Sequence, residues 1–487
     1  MAFETVIGLE VHSQLLTRSK MYCSCAADYA STQPNSRVCP VCLGMPGVLP
    51  VINRKAVELT IMTGLALSCT ISEHTKFDRK NYPYPDLVKG YQISQYDAPI
   101  ATSGWLDVDA NGISHRIGIH RVHLEEDTAK LLHRPGMVES HSLVDVNRSG
   151  VPLMEIVSQP DMRSPEEARQ YLIKLRVILQ YLGVSTGNME EGSFRCDANI
   201  SLRLLGAPLP QAKVEVKNMN SFRAVFRALT YEEERLGRLM AAGGRLTQET
   251  RGWVEERGET VLQRTKEEAH DYRYFPEPDL PPLEISTAYV EELRARLPEL
   301  PDSRRQRYIN ELELSDYDAG LVTQSRHLAD FFEQAIGEDS ALPMLERAKK
   351  VANWLLGDFT RLVNATGMEI PELPLTPAHL MELVNLVEAG RLSGPAAKQV
   401  MEEMFGSGGS PAQIMAQKGL EQMGRGGELE TAVAQAIQAN PQPVADYRKG
   451  KAQAITFLVG QVMRSTRGRA NPQQARDVMI RMLEESS

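Results

Sequence analysis

Four separated stretches of this chain alternate apolar and polar side chains with a period of two, and that alternation limits the fold more than any other feature. In "IGLEVHSQ", Ile7, Leu9 and Val11 share one face of an extended strand, while Glu10, His12 and Gln14 share the other. "RVHLEED" sets Val122 and Leu124 against Arg121, His123, Glu125 and Asp127. "SFRCDANISL" puts Phe194, Cys196, Ala198 and Ile200 opposite Arg195, Asp197, Asn199 and Ser201. In "KVEVKN", Val214 and Val216 oppose Lys213, Glu215 and Lys217. Strands of this kind predict an antiparallel sheet with one face on a core and the other wet.

At 487 residues the chain is too long for one ordinary core, so two or three domains are expected. Residues 1–290 carry most of the strand-like alternation. Within them one helix is well signalled, with Ser164 as N-cap, Pro165 at the first position and Glu167 closing a capping box. Its apolar stripe is Ala168, Leu172, Leu175, Leu179 and Leu182, and Gly183 stops it. The proline-rich "YFPEPDLPPLEI" (Tyr274 to Ile285) reads as a connector. Residues 291–405 are helical in pattern, "GSGGSP" at 406–411 has flexible-linker composition, and 412–487 are short helical segments. The expected fold is α+β: a large, mainly antiparallel-sheet domain, then a helical domain, then a small all-α tail.

No apolar run is long enough to cross a bilayer, and "MAFETVIGLE" reads as a strand, so a cytoplasmic protein is expected. There the six cysteines point to metal or buried thiols before disulfides. Cys23-x-Cys25 followed by Cys39-x-x-Cys42 gives four thiolates for a tetrahedral structural zinc knuckle. Reduced thiols without metal are the alternative.

For any one strand a wet polar face is ordinary surface. Taken together, Glu10, His12, Glu125 and Asp197 predict an acidic floor able to hold a divalent cation if their strands are neighbours. Oxygen ligands suit magnesium, and a histidine suits manganese or zinc as well. His12 serves equally as a group behind the ligands or as a proton acceptor. "KFDRKNYPYPDLVKGYQISQY" interleaves Lys80 and other cations with Tyr82 and Tyr84, which reads either as a nucleotide-stacking loop or as an aromatic loop packed on the sheet. There is no GxxxxGK[ST] loop, so ATP would be held by metal and scattered side chains. No convincing nucleophile for amide hydrolysis is present.

A net charge of −9 argues against indiscriminate nucleic-acid binding. The stretch "RKGKAQAITFLVGQVMRSTRGR", Arg448 to Arg469, reverses that sign and contains no acid. Phe457, Leu458 and Val462 form its apolar stripe. Lys449, Lys451, Arg464, Arg467 and Arg469 cluster at its ends, as a module for RNA phosphate or as a solvated face.

Nine ordered motifs, among them "IGLEVHSQL", "CPVCLGMPGVLPV", "HLEEDTAK", "DVNRSGVPLMEIV", "EEGSFRCDANISL", "DYRYFPEPDLPPL" and "FLVGQVMRSTRGRANP", closely resemble the B subunit of the aspartyl/glutamyl-tRNA amidotransferases over nearly the whole chain. Pro83 and Val88 stand where the family pattern expects Phe and Pro. The resemblance implies a three-subunit enzyme in which an amidase A subunit frees ammonia from glutamine and a small C subunit clasps A and B. It implies that the B subunit uses ATP and Mg2+ to phosphorylate the side-chain carboxylate of mischarged Glu-tRNA(Gln) or Asp-tRNA(Asn), and that ammonia displaces the phosphate. On that reading Glu10, His12, Glu125 and Asp197 hold the cation, and Arg195, Lys217 and Lys80 steady phosphates. Tyr82, Tyr84 and the basic tail then bind tRNA. A metal-dependent RNA-processing enzyme and a non-catalytic tRNA-binding scaffold are the alternatives.

Overall fold

The computed structural model describes residues 3–133, 142–210, 212–265, 272–422, 427–466 and 469–485. The chain divides into two compact units, Met1–Leu300 and Pro301–Ser487.

In the first unit the strands are β1 (Phe3–Gln14), β2 (Thr70–Ile71), β3 (His74–Thr75), β4 (Asp78–Asn81), β5 (Tyr91–Ser94), β6 (Ala101–Ala110), β7 (Ile113–Glu126) and β8 (Lys130–His133). They continue as β9 (Ser142–Asp145), β10 (Pro152–Ser158), β11 (Phe194–Leu204), β12 (Val214–Lys217), β13 (Glu249–Val254), β14 (Glu259–Thr265), β15 (Phe275–Pro276) and β16 (Leu283–Glu284). The large sheet runs β14-β13-β12-β11-β1-β10-β7-β6-β2. Its pairs are antiparallel except β12 with β13, as the alternating patterns predict.

One face of this sheet is the core. Ile7, Leu9, Val11, Val122, Leu124, Ala198, Ile200 and Val216 are all buried on it, joined by Met154 and Ile156 of β10. Helices α1 (Arg54–Ala66), α2 (Pro165–Tyr181) and α3 (Phe222–Ala241) cover that face. The stripe expected on α2 is buried throughout. Ser164 Oγ caps its N-terminus, accepting the Glu167 N–H at 3.2 Å. The Glu167 carboxylate reaches one residue further back than in a standard capping box, to the Arg163 N–H at 2.8 Å.

The connector expected at 274–285 is instead woven into this unit. Phe275–Pro276 pairs with β4, and Leu283–Glu284 pairs with β3. Helix α4 (Thr287–Ala295) then packs on α1, with Leu293, Leu297 and Leu300 on the same core. Backbone pairing satisfies polar groups that a free proline-rich segment would leave to water.

The second unit is helical: α5 (Pro301–Leu312), α6 (Asp316–Thr323), α7 (Arg326–Gly337), α8 (Met344–Trp354), α9 (Thr360–Thr366), α10 (Pro377–Glu388), α11 (Gly394–Ser407) and α12 (Pro411–Lys418) share one core. The glycine-serine stretch expected to be a flexible linker is the last turn of α11 and a tight, partly exposed turn between two helices of that core. Gly408 closes α11 at φ +68°, and Ser410 caps α12, while Phe405 and Ile414 on either side are buried together. A separate core holds α13 (Gly427–Ala439), α14 (Pro441–Arg448), α15 (Gln453–Ser465) and α16 (Pro472–Glu485). Among the described residues no helix is long and apolar enough to cross a membrane.

Candidate active site

The register of four central strands decides which polar side chains meet. On β1, His12 lies opposite Arg195 of β11 and Glu155 of β10. Glu155 lies opposite His123 of β7, so His123, Glu155, His12 and Arg195 form one row across the sheet. One step along, Glu10 faces Asp197 on β11. One step the other way, Gln14 faces Leu153, which faces Glu125 on β7. The polar faces read from separate strands therefore do form one continuous surface.

At its centre His12 Nε2 stands 3.6 Å from Glu125 Oε1 and 3.8 Å from Glu155 Oε2. One ligand atom from each residue lies within 4.8 Å of the other two. Oxygen and nitrogen ligands about 2.1 Å from a magnesium-sized ion are about 3.0 Å apart when adjacent and about 4.2 Å apart when opposite. The two gaps from His12 fall inside that range, and with all three ligand atoms within 4.8 Å of one another the cluster is compact enough for a divalent cation. Glu125 and Glu155 are buried, and His12 keeps one open side. Burial pushes the Glu155 carboxyl up, but His123, His12 and Arg121 outweigh it and hold the group well below the usual carboxylate range.

Strand alternation alone misses Glu155, although its parity is correct. It sits in "VPLMEIV", whose near-continuous apolar run hides the two-residue period. His123 shows on the polar face of its strand, but nothing in the pattern gives it a role.

Asp197 does not join this cluster. It stands three strands from Glu125 and four residues along, offsets of about 14 Å and about 13 Å, so one ion cannot touch both. Lys217 Nζ neutralises Asp197 at 2.6 Å and also meets Glu215 at 3.1 Å. Glu10 accepts from Asn199 Nδ2 at 2.9 Å, one register step from His12 and outside the three-residue group. A cavity of 220 Å³ opens beside it, between Gly8, Val157, Pro160, Asn199 and Leu209.

The surface is also not simply acidic. Arg195 meets Asp127 at 3.0 Å, and Asp127 accepts from Gln14 at 2.7 Å. Lys80 lies beside the cluster. Burial lowers its pKa, but Glu125, Tyr274, Glu155 and Tyr272 together raise it, so the ammonium stays charged. Its Nζ sits 4.9 Å from the Tyr272 ring centre and 5.8 Å from that of Tyr82. Tyr82 packs edge-on against Tyr272, whereas Tyr84 is exposed. The tyrosine loop is thus split between a packed ring and a free one.

The four knuckle cysteines converge, with their sulfur atoms within 4.8 Å of one another. Cys39 Sγ and Cys42 Sγ are 3.9 Å apart, close to the edge of about 3.8 Å in a tetrahedron with Zn–S bonds of about 2.3 Å. The Cys39 N–H donates to Cys42 Sγ at 3.1 Å. Hydrogen bonding from Cys23 pulls Cys42 down to about 4, while burial pushes Cys25 up to about 11. This donor set fits zinc. Gly44 closes the knuckle at φ +65°, where a Cβ would lie 2.4 Å from Lys89 Cγ. Cys196 is buried on the apolar face, as its strand pattern predicts.

In the basic stretch Lys449, Lys451, Arg464 and Arg469 are exposed, and Arg467 lies outside the described residues. Lys451 meets Asp446 at 3.1 Å. The buried stripe of α15 is Ile455, Leu458 and Val462, not the expected Phe457. Phe457 falls about 100° from Leu458 around the helix and is exposed.

Residues 5–291 match the family model described as the GatB/GatE catalytic domain, and residues 330–483 match that of the GatB domain. The chain is 57% identical to the B subunit of the aspartyl/glutamyl-tRNA(Asn/Gln) amidotransferase of Dehalococcoides mccartyi, over 99% of both chains. It is 54% identical to the protein of the same name from Thermomicrobium roseum, over 100% of this chain and 99% of that one. For the one from Moorella thermoacetica the figure is 54%, over 97% of this chain and 98% of that one. The chain belongs to the family of aspartyl/glutamyl-tRNA(Asn/Gln) amidotransferase B subunits.

Proposed function

We propose that this chain is the ATP-using, tRNA-amidating subunit of such an enzyme, converting Glu-tRNA(Gln), Asp-tRNA(Asn) or both to the amides. The observation that carries the reading is the full-length likeness to B subunits at more than half identity. The His12, Glu125 and Glu155 cluster supplies the chemistry.

A carboxylate is a poor electrophile, and attack on the ATP γ-phosphate makes it an acyl phosphate with ADP as leaving group. Ammonia then attacks the acyl carbon, phosphate departs, and one proton passes from nitrogen to phosphate. The first step sets two anions against each other. Magnesium, held by His12, Glu125 and Glu155, would neutralise and align them. Lys80, kept charged beside Glu125, offers a fixed ammonium to the transferring phosphate. Lys217 and Arg195, each already braced by a carboxylate, flank the same surface. The cavity beside Glu10 suits a nucleotide base, with Asn199 orienting Glu10 toward it.

The zinc knuckle is structural on this reading, since four thiolates leave no open position. The partners are an amidase A subunit, which supplies ammonia, and a small C subunit, in the cytoplasm. Helices α13–α16, from Gly427 onward, form the tRNA-binding tail, with Lys449, Lys451, Arg464, Arg467 and Arg469 on phosphates, and Tyr84 offers a ring to an unpaired base. The test is mischarged tRNA incubated with the three-subunit complex, ATP, Mg2+ and either glutamine or ammonium chloride. Amide formation on either tRNA that requires ATP supports the reading. Failure on both tRNAs, or turnover without ATP, sinks it.

A further inference from the structure

The row across the central strands contains one buried group to which the chemistry above gives no role. His123 is 2% exposed, and its Nε2 stands 3.3 Å from Glu155 Oε2. That oxygen is the same atom that faces His12 Nε2 at 3.8 Å. The other carboxylate oxygen, Oε1, looks toward Arg121 at 3.7 Å. His123 Nδ1 is buried without a hydrogen-bond partner.

We propose that His123 is a positioning residue for the cation cluster, holding Glu155 Oε2 in the gap beside His12 through an Nε2–H hydrogen bond. The inference rests on the reading of His12, Glu125 and Glu155 as a divalent-cation site. A carboxylate oxygen only accepts, so the imidazole nitrogen facing it carries the proton. An unpartnered Nδ1 in the core is a cost that a leucine would avoid, so the ring is useful at this place through Nε2 alone. Without the bond, Glu155 is free to turn Oε2 away from His12 toward Arg121. Hydrogen bonds from behind a ligand commonly change metal affinity by about 10–100-fold.

The two ring nitrogens give a pair of gentle substitutions. His123→Gln places an amide N–H at the reach of Nε2, and His123→Asn places one at the reach of the idle Nδ1. Mn2+ is titrated into zinc-loaded full-length chain, free Mn2+ is followed by its paramagnetic resonance signal, and Mg2+ is used as competitor. His123→Asn is expected to weaken Mn2+ by about tenfold or more, with His123→Gln within about threefold of wild type. In the assembled enzyme, the Mg2+ concentration for half-maximal ammonia-driven amidation rises in His123→Asn by a similar factor, while the rate at saturating Mg2+ stays close to wild type. Equal affinities in His123→Asn and wild type overturn the proposal, as does a His123→Gln as weak as His123→Asn. Wild-type chain with no Mn2+ site displaced by Mg2+ removes the cluster reading itself, and this inference with it.

Discussion

The two candidate metal centres of the first unit are built on opposite plans. The knuckle draws four like ligands from residues 23–42, and its four sulfur atoms all lie within 4.8 Å of one another, enough to fill a tetrahedral ion's coordination. The His12, Glu125 and Glu155 cluster draws its three ligands from three different strands, His12 more than a hundred residues from the other two, and keeps one side open through His12. A closed all-sulfur site can hold a fold together, and an open oxygen-rich one can share its ion with a substrate. The difference teaches that ligand locality and openness, more than the number of candidate ligands, separate a staple from a reaction centre.

The largest test of that contrast is Glu125→Gln. It is expected to lower ammonia-driven amidation by about 100-fold or more with little change in melting temperature. Cys39→Ser is expected to do the reverse, losing zinc and several degrees of thermal stability while each molecule that remains folded keeps most of its turnover. Similar losses of activity in both would break the contrast.

A second test separates the cluster from its neighbours. Glu155→Gln should weaken Mn2+ about tenfold or more, whereas Asp197→Asn, three strands away from Glu125, should leave it within about twofold. Equal effects would return Asp197 to the cation site.

A third test counts protons by calorimetry in buffers of different ionisation enthalpy. The Cys25 thiol, pushed up to about 11, carries its proton at pH 7 and must release it to bind zinc. The Glu155 carboxyl, held well below the usual carboxylate range, is already ionised at pH 7 and has none to give. Zinc uptake is therefore expected to release at least about one proton from the knuckle, and Mg2+ uptake to release none from Glu155. The same depression stabilises the fold at pH values above about 4.3, the unfolded pKa of a glutamate, and the contribution is lost as pH falls through the lower folded value.

The smallest expected effect is at Gly44→Ala. The left-handed backbone and the contact with Lys89 predict a loss of about 1–2 kcal/mol in denaturant unfolding, with zinc retained.

The knuckle is legible in the sequence because its four cysteines are close together, so spacing alone nearly fixes their geometry. The cluster is legible in half. His12 and Glu125 can be placed on polar faces by parity, but nothing in either strand says that β10 lies between β1 and β7. Glu155 is hidden because β10 is buried on both sides of its charged residue and so loses the alternation that marks a wet face. Asp197 is drawn in for the opposite reason, since correct parity on a neighbouring strand does not measure distance along it. The turn at 406–411 misleads because glycine and serine serve equally as linker and as helix caps, and only the apolar residues on either side tell the two apart.

By itself the sequence determined which side chains share a strand face, which four sulfurs can meet, and which family the chain resembles. These are local properties, set by backbone geometry over a few residues. Only the tertiary structure decided that His12 lies between Glu155 and Arg195, that His123 backs Glu155, and that Lys217 claims Asp197. Strand order and register come from pairing and burial across the whole unit, and a shift of one residue would turn every one of these groups into the core.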